Sequence, residues 1–204
     1  MDTSQLPSRV EIHEEGPREG FQIESAGFSV DQRVALVHAL AEAGLRQIQV
    51  ASFVSPRRVP QMADADRLFA ALRKRAGVRY TALWLNEAGF ERARACPQVD
   101  LTGTLYFYAS DAFSRQNNGC GAEEQARRQL EWVWRYRDAG IAIESAYVMT
   151  AFGCNFQGEV SEAELARVLD FIGTLQRDTG LQLPKLYLAD TVGWAQPLAI
   201  ARRI

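Results

Sequence analysis

Short apolar runs recur along the chain, each followed by a polar loop and then by apolar residues at helical spacing. The runs Val10–Glu14, Gln47–Phe53, Arg79–Leu85, Val99–Phe107, Ile141–Met149 and Lys185–Ala189 are rich in β-branched, aromatic or leucine residues, the signature of strands. Between them lie helical patterns. Ser29 and Gln32 form a capping box ahead of Val34, Val37 and Leu40, and Gly44 supplies a stop. Ser161 and Glu164 form a second box, followed by Leu165, Val168, Leu169 and Ile172 on one helix face. Leu130, Val133 and Trp134 mark a helix over Arg127–Asp138 that stops before Gly140, and Leu68 and Leu72 mark one ending near Gly77.

Strands alternating with helices predict a parallel sheet covered by helices, of α/β class. An open doubly wound sheet and a (β/α)₈ barrel both satisfy the pattern. The first strand–helix loop has neither G-x-G-x-x-G nor G-x-x-x-x-G-K-[ST], which removes the usual reason for an open nucleotide-binding sheet. The barrel is therefore preferred, although a full barrel takes about 250 residues. About six β/α units are visible, so the chain is expected to be a single, incomplete TIM-barrel domain over residues 1–204.

Composition narrows the function classes. The 204 residues are 47% hydrophobic and 24% charged with a formal net charge of -2, which is ordinary for a globular protein. The charge balance gives no footprint for nucleic acid or an anionic membrane. No apolar run nears the roughly 20 residues that span a bilayer, and the polar start of the chain does not read as a secretory signal. Cys96, Cys120 and Cys154 have no paired spacing, which predicts reduced thiols and a cytoplasmic protein.

Barrel enzymes place their chemistry at the C-terminal ends of the strands. The first such end carries Arg18-Glu19: the carboxylate is a hard oxygen ligand for Mg²⁺ or Mn²⁺, and the guanidinium can face an oxygen that gains charge during C–C cleavage. A surface ion pair in a glycine-flanked turn explains the same residues. Asp190, before Thr191 and Gly193, can orient a ligand, cap the helix that begins near Pro197, or simply make a turn. Tyr147 can point into a barrel or pack in the core. Cys154 has no histidine nearby in sequence and reads as structural, as do His13 and His38.

Taken together, five segments resemble one family. They are Gly16-Pro17-Arg18-Glu19-Gly20-Phe21-Gln22, Ser52-Phe53-Val54-Ser55-Pro56 with Val59-Pro60-Gln61-Met62-Ala63-Asp64, Phe113-Ser114-Arg115-Gln116-Asn117, Gly153-Cys154-Asn155-Phe156-Gln157-Gly158, and Asp190-Thr191-Val192-Gly193. In this order and spacing they are similar to the 3-hydroxy-3-methylglutaryl-CoA lyases, within the wider group of metal-dependent aldol lyases and acyl-CoA condensing enzymes. The resemblance implies a TIM barrel, a divalent cation (Mg²⁺ or Mn²⁺) and retro-aldol cleavage of a 3-hydroxyacyl-CoA. It implies Glu19 as a metal ligand and Arg18, Tyr147 and Asp190 as catalytic. Gln22, Gln49 and Ser52 would lie at the substrate.

Four positions depart from the family pattern: Glu19 stands for aspartate, Gln49 for glutamate, Ser25 for lysine and Tyr187 for serine. These changes point to a different acyl-CoA or a related hydroxy acid. The family's His-x-His metal pair has no counterpart before Ile204, so the 204-residue chain by itself is expected to be inactive. A related acyl-CoA/keto-acid condensing synthase and a non-catalytic truncated barrel are the alternatives. Homodimerisation stays open, since exposed edge strands favour association.

Overall fold

The structure, a computed structural model, describes residues 8–24 and 27–204. Ser25 lies outside the described residues. The chain divides into two compact units, Met1–Leu101 and Thr102–Ile204.

In the first unit the order is β1 (His13–Glu14), α1 (Gly16–Ile23), α2 (Val30–Glu42), β2 (Gln47–Ser52), a 3₁₀ turn at Pro60–Met62, α3 (Ala65–Ala71), β3 (Arg79–Leu83) and α4 (Glu87–Arg94). The sheet order is β1-β2-β3, all parallel. Alternation along β2 sets its faces. Ile48 and Val50 are fully buried in a core that also holds Val37 of α2 and Leu68 and Phe69 of α3. Gln47 and Gln49, at the alternate positions, are only half-buried. Phe53 stacks on Phe69 at 5.6 Å between ring centroids just past the strand end.

The predicted capping box of α2 forms in full: Ser29 Oγ accepts from the Gln32 amide at 3.2 Å, and Gln32 Oε1 accepts from the Ser29 amide at 2.9 Å. Three local expectations shift. The first strand keeps only His13–Glu14, because pairing begins at His13 opposite Gln47; Val10 and Ile12 are 74% and 61% exposed. The segment after it is a helix rather than a loop, with Pro17 in its first turn, where a missing N–H costs nothing. The helix expected to reach Gly77 stops at Ala71, because Leu72 turns extended. The polar α4 carries no apolar stripe in sequence. It buries Gly89, Phe90 and Ala93, and it is started by Asn86, whose Oδ1 accepts from the Gly89 amide at 2.8 Å.

The second unit runs β4 (Gly103–Tyr108), α5 (Asp111–Asn118), α6 (Ala122–Asp138), β5 (Ile143–Met149), β6 (Gly153–Cys154), β7 (Gly158–Glu159), α7 (Glu162–Thr179), β8 (Leu186–Leu188) and α8 (Pro197–Arg203). Strands β4, β5 and β8 form a parallel sheet in that order, and β6 and β7 form an antiparallel ribbon. The capping box at Ser161 is present, and Leu165, Ile172 and Leu175 of α7 are buried on the predicted face. Leu105, Phe107, Ala146 and Val148 fill the core from β4 and β5. The alternate positions place Tyr106, Tyr147 and Tyr187 in one register across the three strands. Their rings stack at 5.8 and 4.6 Å. The parallel β/α plan is thus observed as two three-stranded sheets, and no barrel closes among the described residues.

Candidate active site

In the first unit the residues singled out at the first strand end do come together. Arg18, on α1, is the hub, with 13% of its side chain exposed. Its Nε donates to Gln49 Oε1 on β2 at 2.5 Å, its Nη2 donates to Glu15 Oε2 at 2.5 Å, and its Nη1 donates to Glu19. The guanidinium has five N–H donors, so this clasp leaves it further donors. Glu15 and Glu19 are about half exposed, at 49% and 58%. Solvent-screened pairs of this kind contribute little to stability and exchange partners readily. Gln49 is the firmer anchor, since it sits on a strand. Glu14, at the end of β1, accepts from the Gly16 amide at 2.6 Å and helps to start α1.

Gln49 as the partner of Arg18 escaped the sequence reading, which gave it only as a departure at the substrate. Its signal was available: it alternates with the buried Ile48 and Val50 and so lies on the sheet face opposite them. Gln22 lies on α1 with the others, half-buried. Ser52 is completely buried, and its hydroxyl has no hydrogen-bond partner. His13 Nδ1 lies 3.1 Å from Gln47 Nε2, and His38 Nε2 accepts from the Arg73 amide at 3.2 Å, so both imidazoles have structural partners.

The oxygen donors of this cluster do not fit a tightly held Mg²⁺ or Mn²⁺. The carboxylates of Glu15 and Glu19 and the amide oxygen of Gln49 all accept from one guanidinium. Among the described residues no group of three or more His, Cys, Asp or Glu side chains is arranged to hold a metal ion.

In the second unit Tyr147 stands mid-ladder between Tyr106 and Tyr187, half-buried, on the sheet face away from Ala146 and Val148. Asp190 follows β8 and is exposed; its Oδ1 accepts from the Trp194 amide at 2.7 Å. The carboxylate thus closes a local turn, and the N-cap of α8 is Gln196 rather than Asp190. Cys154 is fully buried. Its Sγ lies 3.0 Å from Ser110 Oγ and accepts from the Gln157 amide at 3.3 Å. Burial pushes its thiol up, but the Ser110 hydroxyl and the amides of Phe156, Gln157 and Gly158 more than offset this and leave it below the ordinary cysteine range. The thiol therefore serves as an acceptor that shapes the ribbon.

The parallel β/α plan seen in each unit is shared with solved hydroxymethylglutaryl-CoA lyases. The chain superposes over 97% of its length on the hydroxymethylglutaryl-CoA lyase from Pseudomonas aeruginosa, with TM-score 0.82 and 33% identity, covering 63% of that chain. It covers 60% of the Acinetobacter baumannii HMG-CoA lyase solved in complex with coenzyme A and 3-methylmalate, with TM-score 0.78 and 27% identity over 95% of this chain. In sequence it is 38% identical to the hydroxymethylglutaryl-CoA lyase of Pseudomonas mevalonii over 92% of its residues. It is 35% identical to the mitochondrial enzyme of Rattus norvegicus over 94%.

The chain belongs to the HMGL-like family, whose model matches residues 9–204. It spans 60% and 56% of the length of those two curated relatives. Among the described residues no helix is long and apolar enough to cross a membrane.

Proposed function

We propose that the protein is a carbon–carbon lyase of hydroxymethylglutaryl-CoA lyase type, its strands forming part of a TIM (β/α)₈ barrel, acting on a 3-hydroxyacyl-CoA. The observation that carries this is the Arg18 clasp: a guanidinium held by a strand residue and two exchangeable carboxylates at a strand end. In the reaction the substrate hydroxyl loses its proton to a base and the carbon–carbon bond beside it breaks. The electron pair passes to the thioester as an enolate while a ketone forms, and protonation of the enolate carbon releases the acyl-CoA.

Arg18 supplies fixed N–H donors to the enolate oxygen, where negative charge grows. Gln49 holds that guanidinium in place through Nε. Asp190, exposed after β8, offers a carboxylate oxygen to the hydroxyl proton, and Tyr147 contributes a phenol on the sheet face opposite Ala146 and Val148. Gln22, on α1, and Ser52, at the end of β2, are the substrate-side residues of this reading. Glu19 is the carboxylate that the family pattern gives to a divalent cation; alone it is one ligand, short of the set that a tightly held Mg²⁺ or Mn²⁺ needs. Gln49 in place of an acid and Tyr187 in place of a serine favour a related hydroxy acid over the family's usual substrate.

The test is turnover. Purified protein is incubated with 3-hydroxy-3-methylglutaryl-CoA and a panel of other 3-hydroxyacyl-CoA esters, with and without Mg²⁺ or Mn²⁺, and the keto product and acyl-CoA are quantified. Arg18→Gln is expected to lower the rate about 10²–10³-fold. Turnover unaffected by that substitution refutes the assignment. Product formed only from acetyl-CoA plus a keto acid identifies a condensing synthase instead.

A further inference from the structure

We infer that Trp194 is a positioning residue that fixes the Asp190 carboxylate by latching the segment after β8 to the β6–β7 ribbon through Asn155. The inference rests on Asp190 belonging to the reacting site, as proposed above.

Four contacts carry it. The Trp194 amide donates to Asp190 Oδ1 at 2.7 Å, so the direction of the carboxylate follows the position of the Trp194 backbone. The Trp194 indole N–H donates to Asn155 Oδ1 at 3.0 Å. The indole also lies against Gly153, where a Cβ would come within 2.9 Å of the ring and 3.0 Å of the Gly158 carbonyl. Gly153 has φ +155, so a side chain there is both strained and blocked. Beside the latch, the Thr150 amide donates to Thr191 Oγ1 at 2.7 Å, which ties the residue next to Asp190 to the end of β5.

The ribbon is a fixed anchor rather than a loose loop. The Cys154 thiol holds it to Ser110, and Gln157 Nε2 donates to Glu164 Oε1 at 2.7 Å, inside the capping box of α7. Trp194 is 42% exposed, so burial alone does not explain why a large aromatic ring holds this place. The hydrogen bond to Asn155 and the flat seat on Gly153 do.

The test uses three variants. Trp194→Phe keeps an aromatic ring over Gly153 and deletes the donor. Asn155→Leu deletes the acceptor, and Asn155→Asp keeps an oxygen there. Two readouts are followed: the backbone amide NMR resonances of Asp190 and Thr191, and kcat and KM for the best thioester substrate. Trp194→Phe and Asn155→Leu are each expected to move both resonances and to lower kcat about 10–100-fold with KM unchanged. Asn155→Asp should restore both readouts, and the thermal midpoints should stay together. Resonances that stay in place in both deletion variants overturn the latch, as does an Asn155→Asp protein no better than Asn155→Leu. Resonances that move while kcat stays unchanged support the latch and remove Asp190 from the reacting site instead.

Discussion

Replacing Asp64 with alanine tests what holds the first unit around its clasp. Arg33 of α2 is 97% buried, with only 3% of its side chain exposed, a rare position for a guanidinium. Its Nη1 donates to Asp64 Oδ1 at 2.7 Å and to the Gln61 carbonyl at 3.2 Å, and its Nη2 faces Met62 Sδ at 3.5 Å. Its Nε has no partner, and its charge sits 5.7 Å from the Phe21 ring of α1. Asp64 is the only formal counter-charge in this set. Asp64→Ala leaves a buried cation with a carbonyl, a thioether and a ring.

Breaking a buried pair in this way costs about 3–5 kcal/mol. Asp64 is itself 31% exposed, so water can reach the gap, and the cost falls to about 2–3 kcal/mol. For a chain of this size that is a loss of roughly 4–12 °C in melting temperature. The assay is thermal unfolding followed by far-UV circular dichroism, with urea unfolding beside it. The double variant Arg33→Met/Asp64→Ala removes the stranded charge and should recover most of the loss. An Asp64→Ala protein within ~0.5 kcal/mol of the parent would show that this contact does not secure the unit. So would a double variant less stable than the single. The same experiment bears on function, because Arg33 ties α1, and with it Arg18, to the segment after β2.

Other outcomes follow from single contacts. Gly89→Ala places a Cβ 2.1 Å from the Phe53 carbonyl oxygen, so α4 must leave the end of β2. A loss of at least about 2 kcal/mol is expected by urea unfolding, and a near-neutral result would mean that this approach is not that close. The Glu164 carboxyl is held below the ordinary glutamate range, first by the Ser161 amide and then by the Ser161 hydroxyl. A lowered folded value means its stabilisation is full above the usual pKa near 4.5 and fades as pH falls through the folded value. Glu164→Gln keeps the capping geometry, so its stability deficit at pH 7 should vanish in acid; a deficit unchanged at low pH refutes this. Cys96 is partly exposed while Cys120 and Cys154 are buried. Iodoacetamide followed by mass spectrometry should label Cys96 first and the other two only after unfolding, even though burial raises the Cys96 thiol.

Local chemistry was enough for much of this protein. Both capping boxes, the buried faces of α2 and α7 and five of the strand cores could be read from residues a few positions apart, because caps and amphipathic faces are set by near neighbours. Five segments in register, those around Arg18 and Asp190 among them, were together enough to name the family. What needed the folded chain was every partnership across distance. Gln49 reaches Arg18 from 31 residues away, Asp64 neutralises Arg33 from 31 away, and Asn155 meets Trp194 from 39 away. The segment after β2 holds a buried guanidinium through Asp64 and the Gln61 carbonyl. Helix α4 and the β6–β7 ribbon were invisible beforehand, because a short polar helix burying only Gly89, Phe90 and Ala93 and a two-residue ribbon tied by side-chain contacts carry too little periodic apolar signal. Sequence spacing fixes which face a side chain takes, but only packing decides what stands opposite it.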